Sequence, residues 1–388
     1  MEVTKKVPSL RFPGFEGEWE EKKLGEVGSK FDYGMNSAAT DFDGENKYIR
    51  ITDIDEISHL YLGDNPVSPL DELEECYLVK EGDILFARTG ASVGKSYLYN
   101  KADEKLYFAG FLIRVSIQEN YSPKFIFSQT LTDKYSRWVS VISTRSGQPG
   151  INAKEYAQLS FYCPSLPEQQ KIADCLTAMD DTIEAQQQKV EQLQAYKKGL
   201  LQQLFSQTLR FPGFEGTWEA KKLGEVVQDK KKGNTPDYEN PKNLLLNNDF
   251  MENQAAPMYV GNDINVKSND LLILWDGSQA GKVYTGFEGV LGSTFVAINF
   301  DSDTSHLFIY NVLRHNLLAI QRVWREGSGI PHVAKDFIEN YKIQLPSFPE
   351  QQKIADCLLT LDEVIELEQQ KLEKLQVYKK GLLQQLFA

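Results

Sequence analysis

The chain has 388 residues, 41% apolar and 25% charged, the balance of a soluble globular protein with room for two or three cores. Its formal charge is −13, which excludes a uniformly basic DNA-binding protein; any nucleic-acid surface must gather its basic groups on one face or borrow charge from a partner. No apolar run nears the ~20 residues of a membrane span, and the opening MEVTKKVPSLRF has no hydrophobic leader core, so a cytoplasmic, non-membrane protein is expected.

Cys76, Cys163, Cys175 and Cys357 form no CxxC pair, and His59, His306, His315 and His332 are scattered. No metal site is expected from such spacing, and the cysteines read as small thiols, mostly buried.

Taken in order, the chain repeats itself. Leu10–Val27 (LRFPGFEGEWEEKKLGEV) returns as Leu209–Val226, changed only at Glu18, which becomes Thr217, and Glu21, which becomes Ala220. The following 136 residues, 28–163, and their later counterpart of 119 residues, 227–345, are unlike one another. Both nevertheless share a skeleton. Tyr48–Ile54 corresponds to Leu244–Phe250, and Lys80–Lys95 (KEGDILFARTGASVGK) to Lys267–Lys282 (KSNDLLILWDGSQAGK). Each of the latter reads as an acidic turn, a short apolar strand and a loop bounded by glycines, Gly90 to Gly94 and Gly277 to Gly281. Loops rich in Gly, Ser and Arg follow at Ser143–Asn152 and Arg325–Val333. Short β-branched and aromatic strands with glycine turns predict a mixed α+β domain in each half.

The segment from Glu168 predicts a helix, with EQQ in the first turn, where negative charge suits the helix dipole. Apolar residues recur in steps of four and three at Ile172, Leu176, Met179, Ile183, Val190, Leu193, Leu200 and Leu204, with Gln186 and Lys197 in polar slots. The second copy repeats this seam at Ile354, Leu358, Leu361, Ile365, Leu372, Leu375, Leu382 and Leu386, with Glu368 and Lys379 in the slots. Across Pro164–Phe205 and Pro346–Phe387, 31 of 42 positions match. A heptad seam needs a partner, and a pseudo-twofold repeat predicts that the two helices pair antiparallel as a coiled coil. Gly199 and Gly381 cost helix propensity and suggest a close packing contact.

The loop GASVGKS resembles a phosphate loop but has three residues between its glycines where that pattern needs four, and the second copy ends GKV. A connecting turn, or a loop that approaches DNA and meets phosphate through its lysine, remains open. The expected segments are 1–163, 164–208, 209–345 and 346–388.

The blocks GDILFARTGASVGK, LPEQQKIADCL and YKKGLLQQLF, duplicated around variable inserts, resemble the specificity subunits of Type I DNA restriction–modification systems over essentially the whole chain. The resemblance implies two target recognition domains, 28–163 and 227–345, each reading one half of a bipartite, asymmetric site in double-stranded DNA. It also implies that Glu168–Phe205 and Glu350–Phe387 act as spacer and docking surface for modification (methyltransferase) subunits, expected as two, and restriction subunits. S-adenosylmethionine, ATP and magnesium would then sit on the partners and no cofactor on this chain. No Asn/Asp-Pro-Pro-aromatic motif of an adenine methyltransferase occurs here, which independently predicts a non-catalytic role.

Major-groove readout favours Arg and Lys on guanine, and Asn and Gln on adenine. That nominates Arg88, Lys95, Arg114, Arg137, Arg145 and Gln148 in the first insert. In the second it nominates Lys230, Lys231, Lys232, Asn247, Asn248, Ser278, Gln279, Lys282, Arg322, Arg325 and His332. Arg145, Gln148, Gln279 and Lys282 lead because they lie in glycine-bounded loops; Arg50 and Arg114 also read as strand residues paired with acids. Two other readings stay open: a nucleotide-binding enzyme using Gly90–Ser96, and a two-headed adaptor that binds no DNA.

Overall fold

In the strands Asp83–Ala87 and Leu271–Leu274, residues 84–87 and 271–274 read as unbroken apolar runs because both of their faces are covered. In a computed structural model, which describes residues 7–327 and 329–387, every residue of either strand is buried. Ile84 and Phe86 point into one cluster and Leu85 and Ala87 into another, as the alternation of a strand requires. Leu271 and Ile273 part from Leu272 and Leu274 in the same way. The ends of the expected segments, 1–6 and 388, and Ser328 in the Arg325–Val333 loop lie outside the described residues.

The chain divides into two compact units, Met1–Gln187 with Gln370–Ala388, and Gln188–Gln369. In the first, Gly28–Tyr33, Leu112–Ile117, Asp83–Ala87 and Ser96–Leu98 form an antiparallel four-stranded sheet in that order. In the second, Val227–Lys232, Phe295–Phe300, Leu271–Leu274 and Val283–Tyr284 form the same sheet. Short helices follow, Pro123–Gln129 and Asp133–Ile142 in one unit, His306–His315 and Leu317–Val323 in the other. The hydroxyls of Ser122, Thr132 and Ser305 cap three of them.

The duplicated blocks build one frame in each unit. Glu20–Lys23 pairs antiparallel with Ser160–Cys163, and Glu219–Lys222 with Lys342–Leu345. Arg11 donates through Nε and Nη2 to both oxygens of Glu168 at 2.8 and 2.9 Å; Arg210 holds Glu350 likewise at 2.7 and 2.8 Å. Glu168 and Glu350 are 2% and 1% exposed, so each carboxylate depends on this charge-assisted fork. Gln169 accepts from the Ser122 backbone N–H and donates to the Pro164 carbonyl, and Gln351 does the same with Ser305 and Pro346. The first two residues of each EQQ triplet therefore form a clasp, beyond the dipole effect expected of the triplet. Trp19 meets Phe125 edge-on at 5.9 Å, and Trp218 meets Phe308 at 5.8 Å.

The long helices run Leu166–Phe205 and Phe348–Leu386, 40 and 39 residues, or about 60 Å each at ~1.5 Å per residue. Each unit contains the start of one and the end of the other, so the pairing is antiparallel. In the first unit Ile172 and Leu176 share a core with Leu382, Leu383 and Leu386. In the second, Ile354 and Leu358 share one with Leu204, flanked by Leu200 and Leu201. Ile183, Leu193 and Leu375 are half-buried and Ile365 is buried, so the whole seam is covered to some degree. The seam also packs on the heads: Phe387 lies 5.2 Å from Phe125, and Phe205 lies 5.9 Å from Phe308.

The polar slots carry matched ion pairs. Lys379 bonds Asp180 at 2.5 Å in the first unit, and Lys197 bonds Asp362 in the second. Lys197 is 7% exposed; burial lowers its pKa and the Asp362 carboxylate counteracts that. A one-turn slip would strand these charges, which pins the register. The expectation for Gly199 and Gly381 is corrected: a Cβ at either position would meet nothing within 4 Å, so no close approach demands glycine there.

Candidate nucleic-acid interface

Glycine shapes the loops that carry the nominated residues. Gly90, Gly94, Gly277 and Gly281 all have positive φ, between 77° and 122°, the region closed to most side chains. At Gly94 a Cβ would also meet Val139 at 2.6 Å, so the loop seats directly on the helix behind it.

Each glycine loop is stitched to the later Gly/Ser-rich loop by the same backbone bonds. In the first unit the Gly90 N–H donates to Pro149 O at 3.0 Å, Ile151 to Arg88 O at 2.9 Å, and Arg88 to Phe111 O at 3.0 Å. In the second, Gly277 donates to Pro331 O at 2.8 Å, Val333 to Trp275 O at 2.8 Å, and Trp275 to Thr294 O at 2.7 Å. This pattern equates positions residue by residue: Arg88 with Trp275, Thr89 with Asp276, Phe111 with Thr294, Gln148 with Ile330, and Gly150 with His332. The strand registers Tyr33 with Ile113, and Lys232 with Val296, equate Tyr33 with Lys232. The backbone hydrogen-bond pattern is repeated while the side chains differ.

The structure divides the nominated residues. Lys95 is corrected. Its side chain is 6% exposed, and its amine donates to Ile54 O at 2.9 Å and pairs with Glu56 at 2.6 Å. Lys282 pairs with the equivalent Glu252 at 2.7 Å, and that bond lowers the Glu252 pKa; Tyr284 donates to the same carboxylate. Both lysines tie the loop to the preceding chain instead of offering a charge to phosphate.

The phosphate-loop reading fails with them, because the lysine of each loop is engaged by a glutamate and four of the six N–H groups in each loop are spent. Those of Gly90, Val93, Gly94 and Lys95 all donate to backbone carbonyls, as do those of Gly277, Ala280, Gly281 and Lys282. An anion cradle needs such groups free.

Arg114 is also corrected: it is 7% exposed at the sheet centre, bound to Asp32 at 2.5 Å and Leu78 O at 3.0 Å, over the Phe108 ring. Near it Asp83 accepts from Ser116 and the Lys80 N–H, yet burial holds its pKa above the usual carboxylate range. Arg50 is clasped by Asp53. Asn247 caps a helical turn through the Phe250 N–H, and Asn248 sits half-buried beside it. Lys230 pairs with Glu339 at 2.8 Å and Lys231 with Asp229 at 3.7 Å, while Lys232 is exposed at the strand end.

The rest gather on the stitched loops or the helix beside them. Gln148, Ser278, Gln279 and Arg325 are exposed there, with Arg137 and Arg322 exposed on the adjacent helices. Arg325 donates to Ser278 O at 3.1 Å, joining the two loops of its unit. Arg145 is exposed but held by Glu155 at 2.5 Å and by two carbonyls. His332 lies 3.8 Å from Glu326 across a two-residue strand pair. Arg88 is half-buried, with Tyr33 44% and Phe111 60% exposed around it. Selection by hydrogen-bonding residue type did not nominate Tyr33, Phe111, Trp275 and Ile330, which stand at or beside the stitched loops. For Tyr33 and Phe111 the available signal was an aromatic residue beside glycine at a strand end, which a strand core does not explain. Among the described residues no His/Cys/Asp/Glu cluster could hold a metal, and no helix is long and apolar enough to cross a membrane.

Residues 16–195 and 215–377 match the family described as the Type I restriction modification DNA specificity domain. The chain belongs to this family. It carries the domain twice and is a specificity subunit, a recognition component and not a catalytic one. It is 34% identical to the Type I restriction enzyme MjaVIII specificity subunit of Methanocaldococcus jannaschii over 181 residues, 44% of this chain but only 42% of that protein. It is 23% identical to the putative MjaX specificity subunit of the same organism over 78% of this chain and 76% of that one. The fold is similar to a crystal structure of a Type I system S subunit from M. genitalium, with TM-score 0.66, 16% identity and coverage of 98% and 99%.

Proposed function

We propose that this chain confers DNA sequence specificity on a Type I restriction–modification complex. The recognition segments 1–163 and 209–345 read the two unlike halves of a bipartite, asymmetric site. The helical segments 164–208 and 346–388 set the spacing and dock the modification subunits, two of them given two copies of the frame, as well as the restriction subunits. S-adenosylmethionine, ATP and magnesium belong to those partners. The observation that carries this reading is the pair of equivalent loop scaffolds with exchanged side chains. A two-headed adaptor would not need an Arg, Gln and aromatic surface of the kind that reads bases.

The test is a swap of residues 28–163 for the equivalent segment of another specificity subunit, followed by methylation mapping of the host genome by long-read sequencing. One half of the modified motif should change and the other stay. An unchanged motif, or a single palindromic one, overturns the proposal. With a net charge of −13, the isolated chain should bind DNA weakly, with affinity rising when modification subunits are added.

A further inference from the structure

Arg88 differs from the other basic residues of the first unit in how it is held. Its backbone is fixed at both ends, by Ile151 and Phe111. Its Nε donates to Gly110 O at 2.9 Å, and among the described residues this is its only side-chain hydrogen bond. The guanidinium lies 5.0 Å from the Tyr33 ring centroid and 5.9 Å from that of Phe111. The Tyr33 hydroxyl accepts from the Ala153 N–H at 3.2 Å, which anchors the nearer ring. Tyr33 and Phe111 are too exposed to serve a core, so their contact with the guanidinium is what they contribute.

A guanidinium whose plane and Nε are fixed keeps its two terminal nitrogens as a paired donor edge. Guanine presents the matching pair of acceptors, O6 and N7, in the major groove. Arg145, by contrast, spends Nη1 and Nη2 on Glu155 and two carbonyls. In the second unit the same three positions hold Trp275, Lys232 and Thr294, and no guanidinium stands at the position of Arg88.

We propose that Arg88, presented between Tyr33 and Phe111, reads a guanine in the half-site of the first recognition segment. The positions 33, 88 and 111, with 232, 275 and 294 opposite them in the repeat, are where the preferences of the two heads diverge. The inference rests on the DNA-specificity reading above and deepens it by naming a base and the residue that reads it.

The test uses the full chain assembled with its modification subunits. Methylome mapping of the wild-type complex defines the motif; absence of any bipartite motif there would defeat the parent reading and this inference with it, whereas the outcomes below bear on the inference alone. Given a motif, Arg88→Ala should relax one guanine position in the first half-site and leave the second half-site intact. Arg88→Lys, which keeps charge without the paired edge, should relax it as well. Affinity for a duplex carrying the site should fall about 10- to 100-fold in Arg88→Ala. Replacing that guanine by 7-deazaguanine, which lacks N7, should weaken the wild-type complex about tenfold and leave Arg88→Ala unaffected. An unchanged motif in both variants overturns the proposal, as does relaxation confined to the second half-site. The 7-deazaguanine scan of wild type needs no folded variant: with no N7-dependent position in the first half-site, the proposal fails.

Discussion

In the frame, Arg11 and Arg210 grip Glu168 and Glu350 through the same two nitrogens, whereas beside the glycine loops equivalent backbone positions hold Arg88 in one unit and Trp275 in the other. The frame residues Glu168, Glu350, Gln169 and Gln351 are buried and multiply hydrogen-bonded, so changing one leaves a buried group without its partner. The nominated residues project from loops that are joined to one another by backbone hydrogen bonds, so the backbone pattern survives when their side chains differ. Separating the groups that hold the fold from those that face outward lets one scaffold present two chemistries.

The sharpest way to break this comparison is to cut the clasp. Glu168→Ala leaves Arg11 unpaired and removes a buried, doubly bonded carboxylate, and should cost about 3 kcal/mol. Glu350→Ala should cost a similar amount in the other unit. Urea titration followed by hydrogen exchange of each unit would measure both losses, and a clear inequality would show that the two frames are not equivalent.

The loop lysines sharpen it further. Lys95→Ala should destabilise the first unit by about 1–3 kcal/mol, because a buried amine bonded to Ile54 O and Glu56 is lost. Lys282→Ala should cost less, since its side chain is 29% exposed. Neither should change the salt dependence of DNA binding by the assembled complex. A fall in the slope of about one per lysine would restore the phosphate-contact reading.

The smallest expected effect is a gain. Gly199→Ala and Gly381→Ala should each stabilise the chain by up to about 1 kcal/mol, because the added methyl meets open space in a helix interior. A thermal melt of either variant that shifted downward would reveal a contact at these glycines after all.

Periodicity alone determined the long helices, their seam and their mutual pairing, since a stripe repeating every three or four residues has to be covered and the repeated copy is the available cover. Repetition likewise determined the frame, and a short apolar run beside glycines marked each reading loop. The direction in which Lys95 and Arg114 point was not legible, because a lysine after a glycine loop and an arginine on a strand look alike in sequence whether they face water or a carboxylate. Only tertiary structure brought Glu56 to Lys95, Asp32 to Arg114, and Tyr33 and Phe111 to Arg88. Those partners lie between 23 and 82 residues away, and a local pattern carries no information about which distant group will satisfy a buried charge or stack on a guanidinium.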